Sequence, residues 1–420
     1  MYKLRYNTTN LLCLTGVILF LFSDFFRFAI FEQLKLNNIP YLKNINILAI
    51  VIILILFITK NIKLKKEHTV LLIFFFACFC VMSFLNGKSQ FYLLPLFICN
   101  LLIPLGLLSS KYDKLDGEKL YKNFLKFYNI WILSIVLLGI FDYMSSGRIN
   151  LWLTQNFYPT SMKDLVNSEY NLIYRLSTPW GTSLFNGFLI LVYLIINSIN
   201  YFVFKKKDVY LYFMYIISII GIILVGSKAC LILAILYILI TRLLLNKKRK
   251  FLNLVIMFLL FVITFNLNFF QDNIWERMIN QYETGTLSSG RSYIFSFISS
   301  GEIPFPNFFT GQGANYSRVL SSDLSLRYST ATNFEYPVIM FSYDYGILAT
   351  IIYYYLIFWI PLRKFLKANN YIIAVSIIVL FVYLNSFNGI ADLNYDFNYK
   401  YVFLTIILYN LNNKNVFKND

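Results

Sequence analysis

Two stretches of the sequence gather the side chains suited to holding an anionic substrate. Arg148 and Arg175 fall in the first, residues 142–180, and Arg277, Arg291, Arg318 and Arg327 in the second, residues 271–335. Arginine grips phosphate or carboxylate through a planar fork of N–H donors and stays charged at every relevant pH. The two stretches contain only one lysine, Lys163, whereas the basic segments elsewhere are mostly lysine. That contrast favours oxyanion binding over simple solvation. The ordinary alternative for any one of these arginines is an ion pair within the protein.

Lys228 ends Val225-Gly226-Ser227-Lys228, a short turn between two apolar runs. Two roles suit it: snorkelling to lipid headgroups, or contact with the phosphate of a lipid-borne substrate. Before another apolar run comes Asn333-Phe334-Glu335-Tyr336-Pro337. Proline suits the first turn of a helix, which puts Glu335 at the amino end, where the helix dipole favours an anion. A carboxylate there, facing arginines, is a candidate general base. Capping or ion pairing is the alternative, and the dipole also makes Glu335 a weaker base. Asp323 in the same stretch competes for the role. So does Asp344, roughly 13 Å deeper along a helix rising 1.5 Å per residue. An acid at that depth is functional or paired. Asp24 and Arg27 share a helix face and are expected to pair. Gly311-Gln312-Gly313 reads as a turn that brings backbone close to a neighbour or a ligand. The single histidine, His68, falls in a cytoplasmic segment, so outer-side chemistry has no imidazole. No cluster has metal-ligand spacing and no glycine-rich phosphate loop is present. The expectation is therefore no metal and no cofactor. The five cysteines, Cys13, Cys78, Cys80, Cys99 and Cys230, lie in apolar runs and read as small core residues.

The elements that position these residues are membrane spans. The chain has 420 residues, 58% apolar, 14% charged and 19% aromatic. A soluble protein this apolar could not cover its surface, and a disordered chain has the opposite composition. The reading is an all-α polytopic membrane protein forming one domain over residues 1–420. Twelve spans are expected, near 11–31, 45–61, 68–86, 91–110, 123–141, 181–203, 209–226, 229–245, 251–270, 336–360, 371–388 and 399–413. The first run is long enough to span and lacks a signal-peptide cleavage site. Basic residues in short segments divide 24 to 5 between the two sides, with Lys35, Lys43, Lys88, Lys228 and Lys400 on the poorer side. That asymmetry places both termini in the cytoplasm and stretches 142–180 and 271–335 outside. It also accounts for most of the net charge of +17 without nucleic acid. The outer stretches carry Trp152, Trp180 and Trp275, which suits ordered, membrane-capping structure.

Four segments together resemble the bacterial O-antigen polymerase and ligase superfamily. They are Arg175-Leu176-Ser177-Thr178-Pro179-Trp180-Gly181; Leu224 to Ala229; Ser289-Gly290-Arg291 with Phe308 to Gly313; and Asn333 through Leu348. Ligases of that superfamily carry His-Asn in the fourth segment, where this chain has Glu335 and Tyr336. The departure favours a polymerase of the Wzy type. The resemblance implies a glycosyltransferase of the inner membrane that joins oligosaccharide repeat units carried on undecaprenyl diphosphate, independent of nucleotide and metal. A chain-length regulator protein is an implied partner. Glu335 and Arg291 would be catalytic, and Arg175, Lys228, Arg318, Arg327, Asp323 and Tyr336 would bind substrate. The competing classes are a ligase-like transferase and a flippase of lipid-linked sugars. A flippase fits less well, because the spans hold few charges and no internal repeat is visible.

The orientation is testable by labelling. In a background lacking native cysteines, Ser300→Cys should react with a membrane-impermeant thiol reagent in cells with permeabilised outer membranes. Lys65→Cys and Lys248→Cys should not. The reverse pattern would invert the topology.

Overall fold

The computed structural model describes residues 7–35, 42–85, 93–113, 115–157, 174–245, 270–283, 293–327, 336–387 and 389–411, with isolated positions between 255 and 266. These residues are mostly helical. Among them, five helices are long and apolar enough to cross a membrane: Lys66–Leu85, Gly117–Met144, Ser183–Phe204, Asp208–Val225 and Ile347–Lys367. A sixth arises if the bent pair Thr8–Leu21 and Asp24–Gln33 counts as one span. Ile47–Ile58, Leu94–Leu108 and Tyr371–Asn385 are shorter apolar helices. The protein is thus a multi-pass helical membrane protein. The expected span 251–270 falls almost wholly outside the described residues.

In chain order we label Thr8–Leu21 α1, Asp24–Gln33 α2, Ile47–Ile58 α3, Lys66–Leu85 α4, Leu94–Leu108 α5, Gly117–Met144 α6 and Arg148–Phe157 α7. Ser183–Phe204, Asp208–Val225 and Lys228–Leu245 are α8, α9 and α10. Glu276–Glu283, Tyr293–Ser299 and Tyr316–Arg327 are α11, α12 and α13. Pro337–Tyr345, Ile347–Lys367, Tyr371–Asn385 and Phe397–Leu411 are α14 to α17. Ile62–Leu64 and Ser110–Tyr112 form a small antiparallel pair, β1 and β2.

Exposure separates core helices from rim helices. In α8 every residue from Phe188 to Ile196 is buried, and α17 is buried from Phe397 to Leu408. A helix apolar on every side and buried on every side belongs at the centre of a bundle. On α4, by contrast, Val70, Ile73, Phe74, Val81, Phe84 and Leu85 are exposed. An apolar surface this continuous needs a non-aqueous neighbour, and a bilayer supplies one. α5 and α15 each contain one wide turn, at Ile98–Leu102 and Tyr355–Trp359. Each precedes a proline, Pro104 or Pro361. Proline has no N–H to donate and collides with the preceding turn, and a wide turn relieves both problems.

Two expected single spans are broken. The run 11–31 bends by 69° between α1 and α2. The break is held by polar groups: the Phe22 carbonyl accepts from Arg27 Nη1 at 2.5 Å and from Asn46 Nδ2 at 3.0 Å. The run 336–360 breaks at Gly346, whose φ of +91° no L residue adopts without strain. The Asp24–Arg27 pair forms as expected, within a larger cluster. Arg27 also pairs with Asp396 at 3.0 Å, and Asp396 pairs with Lys400. All four charges are buried. Lys400 is therefore a buried residue of α17 and not the loop lysine expected from sequence. α17 is thereby tied to the α1–α2 bend.

Breaking one partner of a buried pair leaves an uncompensated charge and costs roughly 3–5 kcal/mol. Asp396→Ala should therefore lower the thermal unfolding midpoint in detergent markedly. Lys63→Ala, which breaks an exposed pair with Asp113, should change it little. Equal midpoints would show that the cluster does not hold the bend.

Candidate functional site

Helix termini gather Arg175 and Lys228 at one end of the bundle. α9 ends at Gly226, in the left-handed conformation at φ +65°. That residue turns the chain straight into α10, whose first residue is Lys228. The segment carrying Arg175 lies along this turn, with Leu176 N donating to the Leu224 carbonyl at 2.9 Å. A Cβ added at Gly226 would sit 3.5 Å from Arg175 Cγ. The glycine therefore supplies the φ, and the arginine stem lies against it at ordinary contact distance. Arg175 and Lys228 are close enough for their charges to repel.

Side-chain clamps hold the Arg175 segment from both sides. Asn186, in the first turn of α8, donates to the carbonyls of Leu176 and Gly181, each at 3.0 Å, and accepts from Thr178 Oγ1 at 2.8 Å. Asn150 Nδ2 donates to the Arg175 carbonyl at 3.0 Å. Asp142, buried at the end of α6, accepts from Asn150 N at 2.7 Å and from Tyr174 hydroxyl at 2.8 Å. Two neighbouring cations beside the amino end of α10 favour an anion there.

A second group forms around the α14–α15 break. The segment 307–313 lies along the broken helix. Gln312 N donates to Tyr343 O at 2.7 Å and Gly313 N to Asp344 O at 3.1 Å. Ile347 N donates to Asn307 O at 3.1 Å and Leu348 N to Phe308 O at 2.9 Å. These bonds satisfy backbone groups that the break releases. A Cβ at Gly311 would lie 2.0 Å from Asp344 O, so only glycine permits this approach. The neighbour expected for the Gly311-Gln312-Gly313 turn is thus the backbone of α14. Asp344 is buried and accepts from Ser317 N at 2.7 Å and Ser317 Oγ at 3.3 Å, capping α13. Arg318, on the same turn, pairs with the buried Asp392. Beside the Asn186 clamp, the Phe185 ring lies 5.1 Å from Tyr395 and 6.2 Å from Phe387, in the loop region before α17.

The residues singled out by sequence divide as follows. Arg175 and Lys228 come together. Arg318 belongs to the second group, where it is engaged with Asp392. Asp323 is exposed on α13. Tyr336 is the N-cap residue of α14, half-buried, with its ring 4.9 Å from Phe295. Pro337 opens α14 as expected. Glu335 and Arg291 lie outside the described residues, and so do the side chains of Arg277 and Arg327. Three buried acids escaped the sequence reading, Asp142, Asp392 and Asp396; Asp344, expected to be functional or paired, is engaged with Ser317. The spacing of Asp396 and Lys400, four residues apart, was the available signal for a pair one helical turn apart.

The described residues define the class, a multi-pass helical membrane protein with a cationic corner at one end. Comparison with protein-family models, curated proteins and solved structures finds no match for this chain.

Gly311→Ala should detach segment 307–313 from the α14–α15 break. The expected readout is faster proteolytic nicking between residues 301 and 327 in the detergent-solubilised protein. Gly106→Ala, where the nearest atom to an added Cβ is 3.7 Å away, should leave the pattern unchanged. Equal nicking in both would remove the close approach from the account.

Proposed function

We propose that this chain is a membrane glycosyltransferase of the O-antigen polymerase and ligase type. It would span the bacterial inner membrane twelve times with both termini in the cytoplasm. Its reaction would extend a polysaccharide from lipid-diphosphate-linked repeat units on the outer side. The observation that carries the reading is the Arg175 segment lying along the turn that leads into Lys228, with Leu176 N on the Leu224 carbonyl at 2.9 Å. Arg175 and Lys228 are the basic residues of two segments that carry the resemblance, and they are far apart in sequence. In support, the Phe308 to Gly313 segment lies against the Tyr343 to Leu348 segment, which pairs two further pieces of the same resemblance.

The chemistry follows from the donor. A sugar on a lipid diphosphate already carries a leaving group, so the task is to stabilise the departing negative charge. Arg175 and Lys228 would bind the diphosphate while its bond to the sugar anomeric carbon breaks. An acceptor hydroxyl on the next lipid-linked unit forms the new bond to that carbon. Its proton goes to a carboxylate, for which Glu335 is the first choice and Asp323 the competitor. Asp344 fits this role poorly, because its oxygens are engaged with Ser317. Arg291 and Arg327 would complete the cationic lining, and Tyr336 would contact sugar.

A flippase of lipid-linked sugars is the second reading. The buried Asp24, Arg27, Asp396 and Lys400 favour it, because charges within spans mark transport pathways as well as structural locks. A ligase-like transferase is the alternative within the enzyme class.

Purified protein given a lipid-diphosphate oligosaccharide should form longer glycan with no nucleotide added. Glu335→Gln keeps size and removes the base, and should slow polymer formation roughly 10² to 10⁴-fold. Substrate binding should persist. Arg175→Ala should weaken binding of the lipid diphosphate. Transbilayer movement of the substrate without glycan growth would replace the enzyme with the flippase.

A further inference from the structure

An exposed aromatic segment lies beside the α14–α15 break and has no part in the chemistry above. From Ile303 to Ser317 the sequence carries no charged residue. Within that run Phe305, Phe308 and Phe309 are 75%, 48% and 68% exposed. Phe308 and Phe309 meet edge to face with ring centres 4.9 Å apart. Single exposed apolar residues are ordinary, but three large rings within residues 305–309 form a patch. The chain just before it is polar. Ser299, Ser300 and Glu302 are exposed, and the Ser300 hydroxyl lies 3.2 Å from the Glu302 carboxylate. The chain thus passes from a polar surface to an apolar one within a few residues.

Backbone bonds fix the level of this patch along the span. The Asn307 and Phe308 carbonyls accept from Ile347 N and Leu348 N, the first amides of α15. A Cβ added at Gly346 would sit 3.1 Å from the Phe309 carbonyl carbon, so Phe309 is held at the same level. α15 has 21 residues and is apolar enough to cross by itself, which sets its first turn near one edge of the hydrocarbon. From there its exposed residues are apolar or aromatic, Ile351 and then Tyr355. The backbone of the patch suits a place with little water. Pro304 and Pro306 have no N–H to leave unpaired. The amides of Phe309 and Thr310 turn to Asn307 Oδ1 at 3.0 and 3.4 Å. The Pro304 carbonyl accepts from the Tyr343 hydroxyl at 2.8 Å. An irregular segment can rest against lipid only with its backbone groups paired. We propose that residues 305–309 rest on the bilayer, with the rings of Phe305, Phe308 and Phe309 in the edge of the lipid acyl region. The contact pins the connection between α12 and α13 to the membrane beside the helix break, and it is independent of the glycan chemistry. In the orientation read from the basic residues, the leaflet is the outer one.

Site-directed spin labelling of the full chain tests this, in vesicles of phosphatidylethanolamine and phosphatidylglycerol. Nitroxides are placed singly by Phe305→Cys, Phe309→Cys, Ile351→Cys and Ser300→Cys in a background lacking native cysteines. Their relaxation is compared between oxygen, which concentrates in lipid, and a water-soluble nickel chelate. Labels at 305 and 309 should follow the one at 351, with oxygen the stronger relaxer. The label at 300 should show the reverse order. All four positions are exposed, so single labels should leave the unfolding midpoint unchanged. If Phe309→Cys does not fold, Phe305→Cys, the most exposed of the three rings, reads the same contact. Labels at 305 and 309 that behave like the one at 300 would overturn the proposal. So would protection of both from oxygen and nickel alike, which would assign the rings to a protein neighbour such as a second copy of the chain.

Discussion

The structure depends on four charges buried where the chain can least bear them. Asp24, Arg27, Asp396 and Lys400 sit inside the bundle with two negative and two positive groups. Removing any such ion from water costs several kcal/mol, and the cost is offset only when every partner is in place. Here the partners are numerous. Arg27 Nε donates to Lys43 O at 3.1 Å, and Asp396 N donates to Asp24 Oδ2 at 3.3 Å. Asparagines extend the polar belt: Asn100 Nδ2 donates to Leu393 O at 2.7 Å and Asn398 Nδ2 to Asn100 O at 2.9 Å. The cluster cannot form unless the first span breaks and its second half turns across the bundle. That turned half, α2, then lays Phe26 parallel to Trp180 with the ring centres 6.4 Å apart. Trp180 belongs to the segment that carries Arg175. A charge lock between the chain's two ends is thereby linked, through stacked rings, to the candidate site.

Close backbone approach is the other device at that end. Gly226 supplies the positive φ of the α9–α10 turn beside Arg175, and Gly311 lets segment 307–313 lie against α14. Both are places where the chain would otherwise leave backbone amides unpaired. Hydrogen bonds across the approaches satisfy those amides. The braced backbone along Arg175 suits the diphosphate binding proposed above.

Much of this was legible from the residues. Apolar run length identified the long helices, because a helix must present about 20 apolar residues to cross. The Pro337 helix start, the Asp24–Arg27 pair and the tight turn at Gly311-Gln312-Gly313 were local signals, and local rules decide them. The breaks were not legible. Run 11–31 reads as uninterrupted by composition; at Phe22 the local bonds of Arg27 and Ser23 combine with tertiary partners from residues 43, 46 and 396 to stabilise the break. For the same reason Lys400 passed for a loop lysine: its partner Asp396 lies one turn before it, but the burial of the pair is set by helices far away in sequence. Arg318 looked available for a ligand until Asp392 was brought beside it by the loop between α16 and α17.

The most direct test is a cryo-EM reconstruction of the protein bound to an unreactive lipid-diphosphate oligosaccharide. The account predicts the diphosphate within hydrogen-bond reach of Arg175 and Lys228, with the sugar extending toward Tyr336. Diphosphate density between α2 and α17, among Asp24, Arg27, Asp396 and Lys400, would contradict it.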